Sequence, residues 1–139
     1  MAIKQLSVFV ENKPGKLLDI VKALAGEDIN IRAMSIADTK DFGILRLIVS
    51  DTEKAKAILS EDCVVTVTNV IAAEMSDKAG ALSTILNAFG EPNINIEYMY
   101  AFTASTELGA YVVIRVDDTD AAEKVLKDNG IAVLDNTAI

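Results

Sequence analysis

The first stretch of the chain alternates between apolar and polar residues, and the next places its apolar residues at helical spacing. The alternation runs over residues 3–10, with Leu6 and Val8 facing one side, as in a strand. A polar corner at residues 12–16 then leads into an apolar helical stripe that Gly26 ends. The pattern predicts a strand, a tight corner and a helix.

The remaining elements of both halves follow from the same periodicities. In the first half we predict strands at 29–37, 42–50 and 64–68, a turn at 39–41, and a short helix capped by Asp51 or Thr52. In the second half we predict strands at 70–75, 94–102, 109–116 and 131–134, a turn at 105–107, a helix at 82–89, and another capped by Asp118 or Thr119. The order in each half is β-α-β-β-α-β, which is typical of a ferredoxin-like unit.

The two halves are copies at a fixed spacing. Gly15 and Gly80 are 65 residues apart, and so are Asn30 and Asn95. A period of this length indicates a duplicated domain and not a short structural repeat.

We therefore predict an α+β protein with two domains, residues 1–69 and 70–139. Each domain is expected to be a ferredoxin-like βαββαβ unit. The two units are expected to lie side by side and to form one eight-stranded antiparallel sheet with the helices on one face. Strand 70–75 could continue strand 64–68 with only a bend near Asn69.

Composition and charge exclude several classes of function. Hydrophobic residues make up 51% of the chain, more than a two-layer fold with one wet sheet face needs, so we expect that face or an edge to be buried in a homodimer. The net charge of −8, without any run of basic residues, argues against binding to nucleic acid or to an anionic membrane surface. Neither a membrane-spanning run nor a signal peptide is recognisable, which indicates a cytoplasmic protein.

The residues that most often carry out catalysis are scarce. Histidine is absent, which removes the commonest general base and the commonest zinc ligand. Cys63 is the single cysteine, so no intrachain disulfide can form. Because it lies beside Val64 and Val65, we expect it to be a small buried residue. No catalytic residue, metal ion or cofactor is predicted.

The corner before the first helix can hold an anion. Pro14 suits a first helical turn, and Asn12 can cap the helix with its side chain. The backbone N–H groups of Gly15, Lys16 and Leu17 then remain available for a carboxylate or a phosphate.

An asparagine starts the second strand of each half and could join the same site. Asn30 follows one helix after the corner, so we expect it to lie near the same helix N-terminus. The side-chain oxygens of Asn12 and Asn30, and of Asp77 and Asn95 in the second half, can accept hydrogen bonds from an ammonium group. A free amino acid carries both charged groups. The alternative is that these residues only cap helices and start strands.

Two motifs make the chain resemble a pair of ACT domains, the small regulatory modules of amino-acid metabolism. The motifs are Glu11-Asn12-Lys13-Pro14-Gly15-Lys16-Leu17 with Asp28-Ile29-Asn30-Ile31, and Asp77-Lys78-Ala79-Gly80-Ala81-Leu82 with Asn93-Ile94-Asn95-Ile96. The resemblance covers almost the whole chain. It implies that an amino acid binds where two ACT units meet.

The resemblance also implies which residues contact the ligand. These are Asn12, Gly15, Lys16, Leu17, Asn30 and Ile31 in the first unit, and Asp77, Gly80, Ala81, Leu82, Asn95 and Ile96 in the second. The second copy departs from the family pattern because Asp77 and Ala79 replace asparagine and proline. Val10 and Met75 are apolar where some relatives place a polar contact, which favours a larger or more apolar amino acid than serine.

Several functional hypotheses remain after this comparison. The first is a non-enzymatic sensor that binds a free amino acid between its two ACT units and acts allosterically on a separate enzyme of amino-acid metabolism. The second is a ligand-free interaction subunit for such an enzyme. An acylphosphatase-like enzyme would need a cationic phosphate cradle, and only Lys13 and Lys16 flank the corner. An RNA-binding unit of the same topology would need a basic surface.

Overall fold

The computed structural model describes residues 2–38, 41–76, 78–103 and 109–135. Its strands are β1 (Ile3–Glu11), β2 (Ile31–Asp38), β3 (Phe42–Val49), β4 (Val64–Met75), β5 (Ile96–Thr103), β6 (Ala110–Val116) and β7 (Val133–Leu134). Its helices are α1 (Lys16–Gly26), α2 (Thr52–Leu59), α3 (Ala81–Gly90) and α4 (Thr119–Asp128). The chain divides into an N-terminal unit, Lys4–Thr68, and a C-terminal unit, Asn69–Ile139 together with Met1–Ile3. The predicted α+β class is confirmed.

The N-terminal unit is an antiparallel sheet with both of its helices on one face. The strand order is β2-β3-β1-β4, and Leu6 on β1 lies opposite Leu47 on β3. The side chains on that face pack with Ile20 and Leu24 of α1 and with Leu59 of α2 to form the core of the unit. Their burial from water is the main favourable term holding the two layers together.

The C-terminal unit repeats this plan. In its sheet β6 lies between β5 and β4, and β7 pairs with β4 on the other side. Ile71 on β4 lies opposite Ile114 on β6, and both pack against Ile85 and Phe89 of α3 and against Leu126 of α4. Each unit therefore has its own hydrophobic core.

The described residues form seven strands where eight were predicted. The difference arises at β4, which runs without a break from Val64 to Met75 and so combines two of the predicted strands. The chain has no proline or glycine near Asn69 that would interrupt it. Parts of the predicted turns, residues 39–40 and 105–107, lie outside the described residues, and the side-by-side arrangement of the units stays a prediction.

Helix α1 ends in a hydrogen-bonded turn that delays the second strand. Gly26 is its last residue, as predicted, and Asp28 adopts a left-handed conformation with φ of 58°. The Ile29 N–H donates to the Leu24 carbonyl at 3.0 Å, and the Asp28 N–H donates to the Ala25 carbonyl at 3.1 Å. These two bonds are the Schellman pattern of a helix C-terminus. The second strand consequently begins two residues later than predicted.

Helix α3 ends in the same way, 65 residues further on. Asn93 has φ of 57°, its N–H donates to the Gly90 carbonyl at 3.2 Å, and the Ile94 N–H donates to the Phe89 carbonyl at 3.1 Å. The duplication has thus kept the backbone geometry of the helix end. Within the described part of the chain, none of the helices is long and apolar enough to cross a membrane.

Candidate functional site

The corner before α1 is built by backbone geometry and not by a side-chain cap. Gly15 is the N-cap residue, with φ of 86°, and no side chain caps the helix. The Lys16 N–H donates to the Lys13 carbonyl at 3.4 Å, so the turn itself satisfies one N–H of the helix start. The predicted capping role of Asn12 is therefore wrong, and Pro14 precedes the helix instead of lying in its first turn.

The corner before α3 has the same geometry. Gly80 is the N-cap residue with φ of 88°, and no side chain among the described residues caps this helix. The Ala81 N–H donates to the Lys78 carbonyl at 3.1 Å. Asp77, which was predicted to contribute to this site, lies outside the described residues. The left-handed conformation explains why both positions carry glycine, since other residues adopt it at an energetic cost.

Both helix starts leave backbone donors open to the surroundings. Within the described parts of the chain, the N–H groups of Gly15 and Leu17 have no backbone acceptor, and neither do those of Gly80 and Leu82. Apart from the adjacent residues in the chain, no described residue has a heavy atom within 4 Å of where a Cβ at either glycine would stand. Together with the helix dipole, such open donors favour a bound anion.

The structure separates the two asparagines that the sequence predicted to meet in the first unit. The Asn12 N–H donates to the carbonyl of Asp41, directly before β3, at 3.2 Å. The Asn30 N–H donates to Oγ of Ser50, directly after β3, at 2.9 Å. The two therefore lie at opposite ends of an eight-residue strand, roughly 26 Å apart at about 3.3 Å per residue. Asn30 and its neighbour Ile31 do not lie near the corner of their own unit, because α1 carries the chain back along the sheet.

Asn95 lies in a separate acidic cleft of the C-terminal unit. This cleft has a volume of about 320 Å³ and is lined by Asn95, Asn93 and the carboxylates of Glu97, Asp117 and Asp118. Two of those carboxylates already have partners within the protein. Glu97 pairs with Arg115 at 3.1 Å, and Asp118 caps α4. Gly80, Ala81 and Leu82 do not line this cleft.

The N-terminal unit has a larger cleft that begins at its corner and runs between α1 and α2. Its volume is about 450 Å³, and it is bounded by the end of β1, one face of α1, the end of α2 and the start of β4. Its apolar wall includes Phe9, Ile20, Phe42, Ile58 and Val64. A cleft of this size and composition is suited to a small organic ligand.

Four charged side chains line the same cleft, namely Glu11, Lys16, Asp19 and Asp62. Lys16 is the only predicted site residue among them. The other three were not predicted from the sequence, although the spacing of residues along α1 could have indicated Asp19. Lys16, Asp19, Ile20 and Ala23 follow one another at helical spacing and lie on one side of the helix.

Neighbouring charges set the ionisation of two groups in this cleft. Lys13 pairs with Glu11 at 2.9 Å and lowers the pKa of that carboxyl by its hydrogen bond and its charge, to which Lys16 adds. Burial raises the pKa of the Cys63 thiol, and the charge of Asp62 raises it further, whereas Lys16 acts in the opposite direction. Lys16 makes no ion pair with any described residue, so its ammonium group is available to a ligand.

Comparison with known families agrees with the duplicated corners. The sequence matches the ACT domain pair family over residues 1–139. The chain belongs to this family. ACT domain pairs are typically regulatory modules that bind amino acids, and they are typically non-catalytic. The resemblance inferred from the corner motifs is thereby confirmed.

Solved structures with the same fold include proteins of both high and low sequence identity to this ACT pair. Protein BT0572 from Bacteroides thetaiotaomicron is 41% identical with a TM-score of 0.88, and the match covers 96% of this chain and 92% of that one. The regulatory subunit of aspartate kinase from Thermus thermophilus, in a ligand-free form, is 15% identical with a TM-score of 0.63 and 91% coverage of both chains. The corresponding subunit from Thermus flavus is 14% identical with a TM-score of 0.61, covering 91% and 92%. No protein with a curated description matches this sequence.

Proposed function

We propose that this ACT pair is a non-enzymatic regulatory protein that binds a free amino acid at its helix-opening corners. The backbone N–H groups that have no backbone acceptor at the corners of Gly15 and Gly80, among the residues that the structure describes, carry the proposal. In both units a left-handed glycine opens a helix, and the N–H groups of that glycine and of the second helical residue have no backbone acceptor among the described residues.

A ligand carboxylate fits the chemistry of these corners. Open N–H groups and the positive end of the helix dipole favour a negative group, and no side chain of the described residues occupies either helix start as a cap. In the first unit the ammonium group of Lys16 adds a full positive charge beside Gly15. The second unit has Ala81 at the matching position, so we expect its corner to bind more weakly.

We further propose that the regulated enzyme is a separate chain. Two proteins that share this fold are named regulatory subunits of aspartate kinase, and their identity to this chain is low enough that the kinase itself is not implied. We propose that this enzyme belongs to amino-acid metabolism. We also propose that the regulator is a homodimer and that it is located in the cytoplasm. Ligand binding would act by favouring one of the conformations that the regulator can adopt.

The experiment is a thermal-shift screen of the twenty amino acids at millimolar concentration. A specific amino acid is expected to raise Tm, because a ligand at 100 times its Kd stabilises the folded state by about 2.7 kcal/mol. NMR titration with that amino acid should then shift the amide signals of Gly15, Lys16 and Leu17 and leave those of Gly26 and Gly90 unchanged. If none of the twenty raises Tm, the proposal fails.

The alternative is a ligand-free interaction subunit, and one observation favours it. Met34 and Ile36 are exposed on β2, which lies at the edge of the N-terminal sheet, and Leu18 is exposed on α1. Exposed apolar side chains next to an open strand edge suit contact with another protein. Co-purification with an enzyme, combined with indifference to all twenty amino acids, would support this alternative over the sensor.

A further inference from the structure

We propose that the cleft between α1 and α2 of the N-terminal unit selects an α-amino acid with a large apolar side chain. This inference rests on the proposed function and names the ligand class and the selecting residues. The cleft has a volume of about 450 Å³, within the range of roughly 300–1,000 Å³ that small-molecule sites occupy. It reaches the corner because Glu11 and Lys16, on either side of the corner, both line it.

The apolar wall of the cleft is incompletely covered by the protein. Phe9, Phe42 and Val64 line it and are 43%, 54% and 65% exposed, whereas Ile20, which also lines it, is buried in the core of the unit. A ligand with an apolar body would remove part of this surface from water, which is favourable in proportion to the area covered. A glycine or serine ligand would leave it exposed.

The charged lining calls for a ligand with both signs of charge. Lys16 offers an ammonium group at the first residue of α1, where the helix dipole also favours a carboxylate. Asp19, on the same face of the helix, and Asp62, in the turn after α2, can accept hydrogen bonds from a ligand ammonium. Neither carboxylate forms an ion pair with another described residue. An amino-acid zwitterion with an apolar side chain meets all three requirements.

The C-terminal unit lacks this combination. Counting 65 residues on, Lys16 becomes Ala81, Asp19 becomes Thr84 and Phe9 becomes Glu74. The matching positions thus carry neither the ammonium group of Lys16, nor the carboxylate of Asp19, nor the aromatic ring of Phe9. We therefore expect one selective site per chain, in the N-terminal unit.

Calorimetric titration of the full chain tests the ligand class. The probes are L-leucine, L-isoleucine and L-phenylalanine, compared with glycine and serine, and with 4-methylpentanoate and isopentylamine as analogues that lack the ammonium or the carboxylate. At least one apolar amino acid should bind with one site per chain. Glycine, serine and both analogues should bind at least tenfold more weakly. Equal affinity for glycine and for all three apolar amino acids would overturn the selectivity.

Matched variants test the location. Ala23→Leu fills the cleft from one face of α1, and we expect it to weaken binding at least tenfold, whereas Ala25→Leu, exposed on the same helix outside the cleft, should have no effect. Lys16→Met should also weaken binding at least tenfold, and its control Lys22→Met should not. Circular dichroism establishes that each variant is folded, and the lysine pair is the independent test if Ala23→Leu does not fold.

A third pair addresses the ammonium group of the ligand. Asp62→Asn should weaken binding severalfold, while the neighbouring Glu61→Gln, which does not line the cleft, should leave it unchanged. If an amino acid binds and its affinity is the same in Ala23→Leu and in Lys16→Met, the cleft inference is wrong while the proposed function stands. If no amino acid binds the unmodified chain, the proposed function itself fails and the cleft inference fails with it.

Discussion

The two units share the backbone geometry of their helix ends and differ in the side chains around them. Gly15 and Gly80 have φ of 86° and 88°, and Asp28 and Asn93 have φ of 58° and 57°. In contrast, three residues that line the large cleft of the N-terminal unit, Phe9, Lys16 and Asp19, have chemically different counterparts in the C-terminal unit. A duplicated fold must keep the turns that start and end its helices, but its surface clefts are free to diverge.

This difference separates two kinds of residue that a repeat preserves. A left-handed glycine recurs because another residue there would strain the backbone, whatever the unit binds. The charges and aromatic rings of a cleft are not needed for folding, so their presence in one unit alone points to a role in that unit. The recurrence of the left-handed glycines is therefore explained by the requirements of the fold. The cleft residues that differ between the units indicate a function specific to the N-terminal unit.

Core substitutions should have the largest effect and should be similar in the two units. Leu24, fully buried in α1, and Phe89, its counterpart in α3, each fill a core. We expect Leu24→Ala to lower the free energy of unfolding by about 2–5 kcal/mol and Phe89→Ala by about 3–5 kcal/mol, because each leaves a cavity. Urea denaturation measures the loss, and hydrogen exchange should assign it to the substituted unit.

The control for the first substitution lies on the same helix. Leu18 is 54% exposed, so Leu18→Ala should change the free energy of unfolding by less than about 0.5 kcal/mol. A loss from Leu18→Ala as large as that from Leu24→Ala would mean that the assigned core face of α1 is wrong.

Substitution of the corner glycines should cause the next largest loss of stability, and the loss should again be equal in the two units. Gly15→Ala and Gly80→Ala should each cost about 1–2 kcal/mol of stability because alanine is strained at φ near 86–88°. We expect no cost from crowding, since no residue of the described ranges other than the chain neighbours has a heavy atom within 4 Å of the added Cβ at either position. Thermal or urea denaturation of the two variants measures this cost.

Glycines elsewhere in the same helices provide controls, because their substitution should change stability in the opposite direction. Gly26 and Gly90 end α1 and α3 without a positive φ, and a Cβ at either would also meet open space. Alanine at these positions should stabilise the chain by about 0.4–1 kcal/mol, because it restricts the unfolded chain without straining the native backbone. Destabilisation by all four substitutions would contradict the assigned corner geometry.

The order of strands and helices was predictable because each element carries its own periodicity, and the two halves confirm each other. The boundaries of the strands and helices were less predictable. Ile29 is apolar and was assigned to the second strand, but its N–H completes the end of α1 by donating to the Leu24 carbonyl. An apolar residue that packs under a helix end looks the same in the sequence as one that starts a strand.

The candidate site was predictable only where it is local. The corner at Gly15 is contiguous in sequence and was found, whereas its placement beside Asn30 was wrong. The 11-residue helix between them carries the chain roughly 16 Å along the sheet at about 1.5 Å per residue. The cleft depends on Phe42 and Asp62, which only the fold brings to the face of α1. No periodicity within α1 could reveal those partners.

The helix caps offer a smaller effect that contrasts the two kinds of helix start within each unit. Asp51 Oδ1 accepts a hydrogen bond from the Lys54 N–H at 3.1 Å, and Asp118 Oδ1 accepts one from the Ala121 N–H at 3.1 Å. Asp51→Ala and Asp118→Ala should each lower the free energy of unfolding by about 1 kcal/mol, as measured by urea denaturation. Asparagine at either position should largely restore it.

Asn12→Ala is the informative comparison for these caps. Asn12 stands before α1 but no side chain caps that helix, so its substitution should change stability by less than about 0.5 kcal/mol. A loss as large as that from Asp51→Ala would show that Asn12 does cap α1, and the description of the corner as a purely backbone structure would then be wrong.

The reactivity of Cys63 should be the most subtle readout, and it reports on the large cleft of the N-terminal unit. Burial and the charge of Asp62 raise the pKa of this thiol, so at pH 8 it holds less thiolate than a free cysteine. We therefore expect slow alkylation by iodoacetamide, because the thiolate is the reactive form. The rate should rise with pH as the thiol ionises, and mass spectrometry measures it.

Two substitutions give the sign of each charge acting on that thiol. Asp62→Asn removes a negative charge that disfavours the thiolate, so alkylation should become faster, while Lys16→Met removes a favourable positive charge and should make it slower. Glu61→Gln, next to Asp62 but outside the cleft, serves as the control. Opposite responses from Asp62→Asn and Lys16→Met would place both charges at the thiol, as the cleft requires. Identical rates in all variants would mean that neither side chain faces the cleft, and the contrast drawn between the two units would lose its basis.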